Sequence, residues 1–362
     1  MGGSVVFETM TIQSHKGVYR VFFDANLLDN PVPICAGDCH FLVDSNVARL
    51  YQKELGPVLQ AERTILIDAV EPSKSLHNII PIFEQLVAAR VRRDHMLVAI
   101  GGGIVQDITC FIASTLLRGM RWRFVPTTLL SQADSCIGSK SSINLGDAKN
   151  ILGTFNPPDE IYIAPRFLGT LDEKEIRSGI GEILKVHAID SPASFDRVAH
   201  AYPQMLKDQA VLLTYIRSAL LIKQRYIELD EFDRGVRNIF NYGHSFGHAI
   251  EAATHFGIPH GIAVTMGMDM ANSIAVRRGL LPASQFARMH PVLRSNYLPF
   301  AKTNIPLAEL LSALQKDKKN TSTELGLVFP LGEAAEVKRV NLVADAAFTG
   351  DCRAFLEHTR YE

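Results

Sequence analysis

The residues with the most chemistry in them lie between Gly235 and Gly261, in the run GVRNIFNYGHSFGHAIEAATHFGIPHG. Asn241 and Gly243 mark a helix start, and His244, His248 and Glu251 then recur at i, i+4 and i+7, which puts all three on one helical face. Pro259 is expected to stop that helix. His260, 16 residues past His244, follows at the break, where a returning chain brings a third imidazole back to the same place. A single such histidine is most simply a hydrogen-bonded core residue, but three of them beside Arg237 and Asn241, in a run otherwise apolar and small, point to a divalent metal such as zinc with an open coordination position. A second group, Ser178-Gly179-Ile180-Gly181-Glu182-Ile183-Leu184-Lys185, sets a carboxylate and an ammonium one helical turn apart on a mostly apolar helix. They must pair with each other or face a cavity. If Glu182 faces a cavity, one use open to it is as a hard oxygen ligand completing a metal site with two histidines.

Anion chemistry is the other theme. A strand delivering Gly101-Gly102-Gly103 into a helix that begins near Ile104 exposes backbone N–H groups without side-chain obstruction, as a pyrophosphate needs. Asp44 ends an earlier strand, where a carboxylate can accept hydrogen bonds from the ribose hydroxyls of an adenine dinucleotide. Asp107, in the first turn of the post-glycine helix, is read either as a cap interacting with the helix dipole or as part of the same site. From Gly138 to Asn150, GSKSSINLGDAKN places Lys140 and Lys149 among Ser, Asn and Gly in a loop able to fold around an anion, although lysines on such a loop are often only solvated.

These groups need a scaffold, and the first third of the chain supplies an alternation of strands and helices. Gly17 to Phe23, His40 to Val43, Thr64 to Asp68 and Met96 to Ile100 read as strands, with helices over about 47–59 and 76–89. That order predicts βαβ units and a largely parallel sheet. Beyond Pro165 the periodicity turns helical, with amphipathic stretches at Pro203–Leu229, His244–His255, Gly261–Arg278 and Leu307–Lys316. The expectation is an α/β Rossmann-like dinucleotide-binding domain over 1–164 and an all-α metal- and substrate-binding domain over 165–362. A chain of 362 residues accommodates two such domains. Its formal net charge of −1, with both signs interspersed, carries no footprint for nucleic acid or an anionic membrane. Five scattered cysteines fit a reducing compartment, and Cys35 and Cys39, with three residues between them, match neither a redox nor a haem motif and are read as structural. No secretory signal pattern and no apolar run of membrane-crossing length is present, so a cytoplasmic location is expected.

The motifs GGGIVQD, LLRG, VPTTLL, AD, GSK and KN between Gly101 and Asn150, followed by GIGEILK and then RNIFNYGHSFGHAIE and PHG, together resemble the 3-dehydroquinate synthase family within the sugar phosphate cyclases. The likeness runs in family order from VDSN around Asp44 to Asp317-Lys318-Lys319-Asn320. It implies an N-terminal domain that binds NAD, a helical domain that holds zinc or cobalt, and a homodimer. It further implies that Glu182, His244 and His260 are the metal ligands, with His248 a substrate-phosphate contact. NAD contacts would include Asp44, Asn46, Glu71, Lys74, Gly102, Gly103, Asp107, Thr127, Thr128, Lys149, Thr170 and Glu175. The substrate phosphate would meet Lys140, Asn150, His248 and Lys318 or Lys319, with Arg118 reaching over from the partner subunit. Asp134, Lys185 and Asn241 would hold hydroxyls and ring oxygens, and Lys223 and Arg237 would clamp a carboxylate.

The family reaction that the resemblance implies is oxidation of a secondary alcohol, elimination of phosphate, reduction, ring opening and an intramolecular aldol closure, with the cofactor regenerated. Two cations for one small anion favour a carboxylate-bearing substrate, 3-deoxy-D-arabino-heptulosonate 7-phosphate, and the product 3-dehydroquinate. Several positions depart from the common pattern, among them Gly181-Glu182 in place of Ala-Glu and Gly138-Ser139 before Lys140. They leave as an alternative a divergent cyclase of secondary metabolism acting on an amino analogue, sedoheptulose 7-phosphate or another sugar phosphate; a metal-dependent polyol dehydrogenase, with a related two-domain plan, NAD and a divalent ion, is a separate alternative.

Overall fold

A computed structural model describes residues 8–146, 148–316 and 324–362. The chain divides into two compact units: residues 1–171 with Gln224–Phe232, and residues 172–223 with 233–362.

In the first unit β1 (Glu8–Ser14) and β2 (Gly17–Phe23) form a hairpin, and a short α1 (Val32–Cys35) leads to β3 (Cys39–Asp44). The region expected as one helix over 47–59 is two short pieces, α2 (Ser45–Leu50) and α3 (Gly56–Leu59), separated by a turn. Gly56-Pro57 starts the second piece, as a proline in a helix's first turn allows. Then come β4 (Thr64–Ile67), α4 (Leu76–Ala88), β5 (Met96–Gly101), α5 (Gly103–Thr115) and β6 (Arg121–Pro126). The stretch read as an anion-wrapping loop is instead a hairpin, β7 (Lys140–Leu145) with β8 (Ala148–Phe155), and β9 (Glu160–Ile163) follows. The reason is visible in β7: Ser141 and Ile143 turn inward in alternation, so small polar residues hide a two-residue period.

The main sheet has the order β1-β2-β9-β6-β5-β3-β4, parallel throughout except for the β1–β2 pair. Every residue of the central β5 is buried, which is what a strand covered on both faces requires. Phe41, Val43, Val98, Ile100, Val125 and Phe167 belong to one continuous core.

The second unit is built from α6 (Glu173–Asp190), α7 (Pro192–Met205), α8 (Gln209–Leu229), α9 (His244–Ala253), α10 (His260–Arg277), α11 (Ala283–Tyr297), α12 (Leu307–Gln315) and α13 (Ala346–Glu357). The last residues of α8, from Gln224, group with the first unit. The second unit also carries an antiparallel hairpin, β10 (Glu324–Leu331) with β11 (Glu336–Val343), which the helical periodicity did not announce. The stretch expected as one helix over Pro203–Leu229 is broken after Met205, because Asp208 caps a new helix by accepting from the Ala210 and Val211 N–H groups.

α10 is the axis of the unit. Every residue from Gly261 to Ala275 on it is buried, and α6, α9, α11 and α13 pack around it. A helix buried all round must be apolar or satisfy its polar groups internally. Asp269, its buried carboxylate, accepts from Tyr297 Oη at 2.6 Å and His290 Nδ1 at 2.9 Å.

Candidate functional site

The second unit assembles the first group of side chains. Glu182 and Lys185 lie on α6, three residues apart and 1% and 3% exposed along their side chains, and the Lys185 ammonium closes on Glu182 Oε2. Beyond that ion pair neither Glu182 oxygen has a hydrogen-bond donor among the described residues. What faces Oε1 is a pair of imidazoles: His260 Nε2 at 3.5 Å and His244 Nε2 at 3.7 Å. A tetrahedral metal with bonds of about 2.0–2.1 Å has ligand atoms about 3.4 Å apart, so this spacing fits a small divalent ion. His244, His248 and His260 also bring nitrogen atoms within 4.8 Å of one another, a looser set that includes a more exposed ring. The carboxylate distinguishes the two sets. A buried carboxylate with one lysine on Oε2 and two imidazole nitrogens facing Oε1 is suited to share a cation with those rings.

The outer nitrogens of both rings are occupied. His244 Nδ1 lies 3.4 Å from the Tyr242 carbonyl, and His260 Nδ1 lies 3.3 Å from each oxygen of Glu251. Burial, reinforced by the positive Lys185 and neighbouring imidazoles, pushes the His244 pKa well below the ordinary value, which keeps the ring neutral and able to ligate. At His260 burial pulls the same way, but the Glu251 hydrogen bond and the carboxylates of Glu251 and Glu182 outweigh it and raise the pKa.

The backbone explains how these side chains are brought so close. α9 does not run to Pro259: it ends at Ala253, and His255 and Phe256 reverse the chain with φ of 50° and 60°. Pro259 instead precedes the first residue of α10, so His260 opens that helix. Gly243, at φ 77°, is the residue before α9, and a Cβ there would lie 2.6 Å from the Val264 carbonyl oxygen. Beside the carboxylate, a Cβ on Gly181 would collide with the Gly261 carbonyl oxygen. α6 and α10 therefore touch backbone to backbone next to Glu182 and His260, and Ser178 Oγ accepts the Gly261 N–H at 3.0 Å.

The remaining expected residues of this unit are placed as follows. Lys223 and Arg237 are buried, Arg237 within a 3-10 turn over Val236–Asn241. Asn241 ends that turn and donates to the Asn238 carbonyl, while His248 is exposed on α9 with its ring 5.4 Å from that of His244. Glu175 is exposed in the first turn of α6, its N–H capped by Asp172. Lys318 and Lys319 lie outside the described residues.

The first unit gathers the residues read for anion and nucleotide chemistry at the C-terminal ends of three neighbouring parallel strands. β3 ends at Asp44, β5 at Gly101 and β6 at Pro126, and the Thr127 N–H donates to Gly101 O at 3.0 Å. Gly102 precedes α5 with no side-chain cap, and a Cβ on Gly103 would meet nothing within 4 Å, so the N–H groups of a 13-residue helix are left open to an anion. Asp44 caps α2 through the Asn46 N–H at 2.8 Å. Thr128 Oγ1 pairs with Ser131 Oγ at 2.8 Å. Around this edge Lys74 pairs with Asp107 at 2.7 Å and Lys149 with Glu71 at 3.9 Å. Thr170 Oγ1 is held by Tyr51 Oη at 3.0 Å, and Asp134 sits in a single π-helical turn over Ser131–Ser135. Lys140 begins β7, exposed, and Asn150, at φ 52°, bonds through its N–H to Asn144 Oδ1. Arg118 is exposed in a left-handed turn, where Leu117, Arg118 and Gly119 have φ of 52°, 65° and 115°.

Sequence reasoning missed the supporting groups. Asn144, which donates to Glu71 at 2.8 Å, and Ser142, whose N–H donates to Asp107 at 3.2 Å, carry no signal of their own because their value comes from the hairpin. Glu251 did have one, its place on the histidine face.

The family profiles described as 3-dehydroquinate synthase N-terminal and C-terminal match residues 64–178 and 179–320. The 3-dehydroquinate synthase of Acidithiobacillus ferrooxidans is 36% identical over 328 residues, 89% of this chain and 90% of its own. That of Alkaliphilus metalliredigens is 32% identical over 332 residues, covering 90% and 93%. Among solved structures, a 2-epi-5-epi-valiolone synthase from Streptomyces hygroscopicus with NAD+ and Zn2+ bound superposes with a TM-score of 0.81 at 28% identity, over 93% of this chain and 95% of that one. With both halves of the chain matched in order and the fold shared, this protein belongs to the 3-dehydroquinate synthase family.

Proposed function

We propose that the protein is an NAD- and divalent-metal-dependent sugar phosphate cyclase, a carbon–oxygen lyase that converts 3-deoxy-D-arabino-heptulosonate 7-phosphate to 3-dehydroquinate and phosphate. The observation that carries the reading is the buried Glu182 carboxylate facing two imidazole nitrogens at 3.5 and 3.7 Å, in a chain whose family is that of the dehydroquinate synthases. Glu182, His244 and His260 hold Zn2+ or Co2+, and bound metal supplies Lewis acidity towards a substrate hydroxyl. The bare α5 N-terminus, with Gly102, Gly103, Asp44, Asn46, Thr127 and Thr128, holds NAD, which supplies reversible hydride transfer. Glu71, Lys74, Asp107, Lys149, Thr170 and Glu175 complete that nucleotide site.

The protein's own side chains do the rest. Lys140, Asn150, His248 and Lys318 or Lys319, with Arg118 of a partner copy in a homodimer, bind the phosphate and stabilise its growing charge as it leaves. Asp134, Lys185 and Asn241 hold hydroxyls. The buried Lys223 and Arg237 clamp the carboxylate, and this pair is what separates the heptulosonate phosphate from carboxylate-free sugars. The domain boundary belongs at the change from sheet to helices near residue 165, the location is cytoplasmic, and the pathway served is the shikimate route to aromatic amino acids.

The test is product analysis. Incubated with the heptulosonate phosphate, NAD+ and Zn2+, the protein should yield the dehydroquinate carbocycle, identified by NMR, with NAD+ unconsumed. Stoichiometric NADH without a carbocycle would instead make it a dehydrogenase.

A further inference from the structure

The two imidazoles facing Glu182 are not supported alike. His244 gives its Nδ1 proton to a neutral backbone carbonyl, whereas His260 Nδ1 is 3.3 Å from both oxygens of Glu251, a side chain only 12% exposed. His260 is the first residue of α10, preceded by Pro259, which offers no side-chain cap. The ring's Nδ1 is hydrogen-bonded to a residue of another helix. Glu251 is that residue, on the last turns of α9, and the left-handed His255 and Phe256 fold the chain so that a carboxylate nine positions upstream meets the ring.

We propose that Glu251 is the positioning residue of the metal centre: it receives the Nδ1–H of His260, fixes the tautomer and aims Nε2 at the point that Glu182 and His244 share. A carboxylate only accepts, so in this pair His260 donates from Nδ1, which leaves Nε2, 3.5 Å from Glu182 Oε1, as the nitrogen that would ligate a bound metal. The negative charge behind the ring also makes Nε2 a stronger donor to a cation. The proposal rests on the metal reading above and deepens it by naming a residue outside the ligand set.

The test uses Co2+ as probe and the full chain. Glu251→Gln keeps the size and an acceptor but removes the charge, and Glu251→Leu removes both. Dissociation constants come from competition with a chromophoric chelator, and ligand geometry is read from the visible absorption of bound Co2+. The leucine variant should bind Co2+ about 10–100-fold more weakly, as loss of such an outer partner does elsewhere, with the glutamine variant between it and the unsubstituted protein. Both should alter the Co2+ spectrum while circular dichroism stays unchanged. Should the leucine variant not fold, the glutamine variant alone decides. Unchanged affinity and spectrum in the folded variants would overturn the proposal, as would a lowered melting temperature with unchanged Co2+ binding. Failure of the unsubstituted protein to bind Co2+ at all would remove the metal reading and the proposal together.

Discussion

Glu182 is a carboxylate with 1% of its side chain exposed, one lysine beside it and no other donor among the described residues, in a setting where an unmatched charge costs several kcal/mol. Removing the charge by Glu182→Gln should abolish turnover and tight metal binding together, measured by phosphate release and by metal content after dialysis. A variant that keeps both takes Glu182 out of the site. Near the N-terminal end of β3, His40 is fully buried, with Nε2 3.0 Å from His95 Nδ1 and no described partner at its own Nδ1. Burial, helped by the positive Arg63 and by His95, lowers its pKa to about 4. The unfolded chain takes up this proton near pH 6.5, so the neutral ring's contribution is intact above that value. It is lost progressively as pH falls to about 4, up to about 3 kcal/mol in all. Urea midpoints measured between these limits should fall more steeply for the unsubstituted protein than for His40→Gln, and parallel slopes would contradict the assignment.

At the scale of elements, the contact of α6 with α10 sets the spacing of Glu182 and His260. Gly181→Ala would drive a methyl group into the Gly261 carbonyl oxygen, so the helices must part. The expected loss is about 1–3 kcal/mol of stability, the usual cost of overpacking, accompanied by weaker metal binding. Chemical denaturation and metal titration check the two halves of that statement, and an alanine variant equal to the parent in both would show that the helices have slack. Gly181 also marks how far the sequence could be read. The Glu182, His244 and His260 set stood out through residue type, and the parallel sheet through its strand–helix alternation. The close approach that unites the set is made by glycines on different helices, which no periodicity reports. The β7–β8 hairpin escaped because its inward Ser141 is polar, and the α9 end because the reversal at His255 and Phe256 uses residues without turn character. Lys223 and Arg237 are recognisable only as two cations until a fold buries them.

For the whole molecule, the proposed metal ligands Glu182, His244 and His260 all lie in the second unit, and the glycine turn proposed for the nucleotide lies in the first. Metal at about 100 times its dissociation constant adds about 2.7 kcal/mol to whatever unfolds with the site. Chelation should therefore lower the melting temperature of the helical unit, by about 2–4 °C per kcal/mol for a unit of this size. The sheet unit should answer to NAD+ instead, and calorimetry that finds neither shift would count against divided sites. Light scattering should give twice the chain mass if Arg118 serves a partner's site. The central claim, a cyclase that recognises a carboxylate, is tested most directly by phosphate release with NAD+ and Zn2+ or Co2+. The heptulosonate phosphate, sedoheptulose 7-phosphate and glucose 6-phosphate are offered in parallel. Release from the heptulosonate phosphate alone, without net NADH, is the predicted result. Release only from a carboxylate-free sugar would contradict the reading of Lys223 and Arg237.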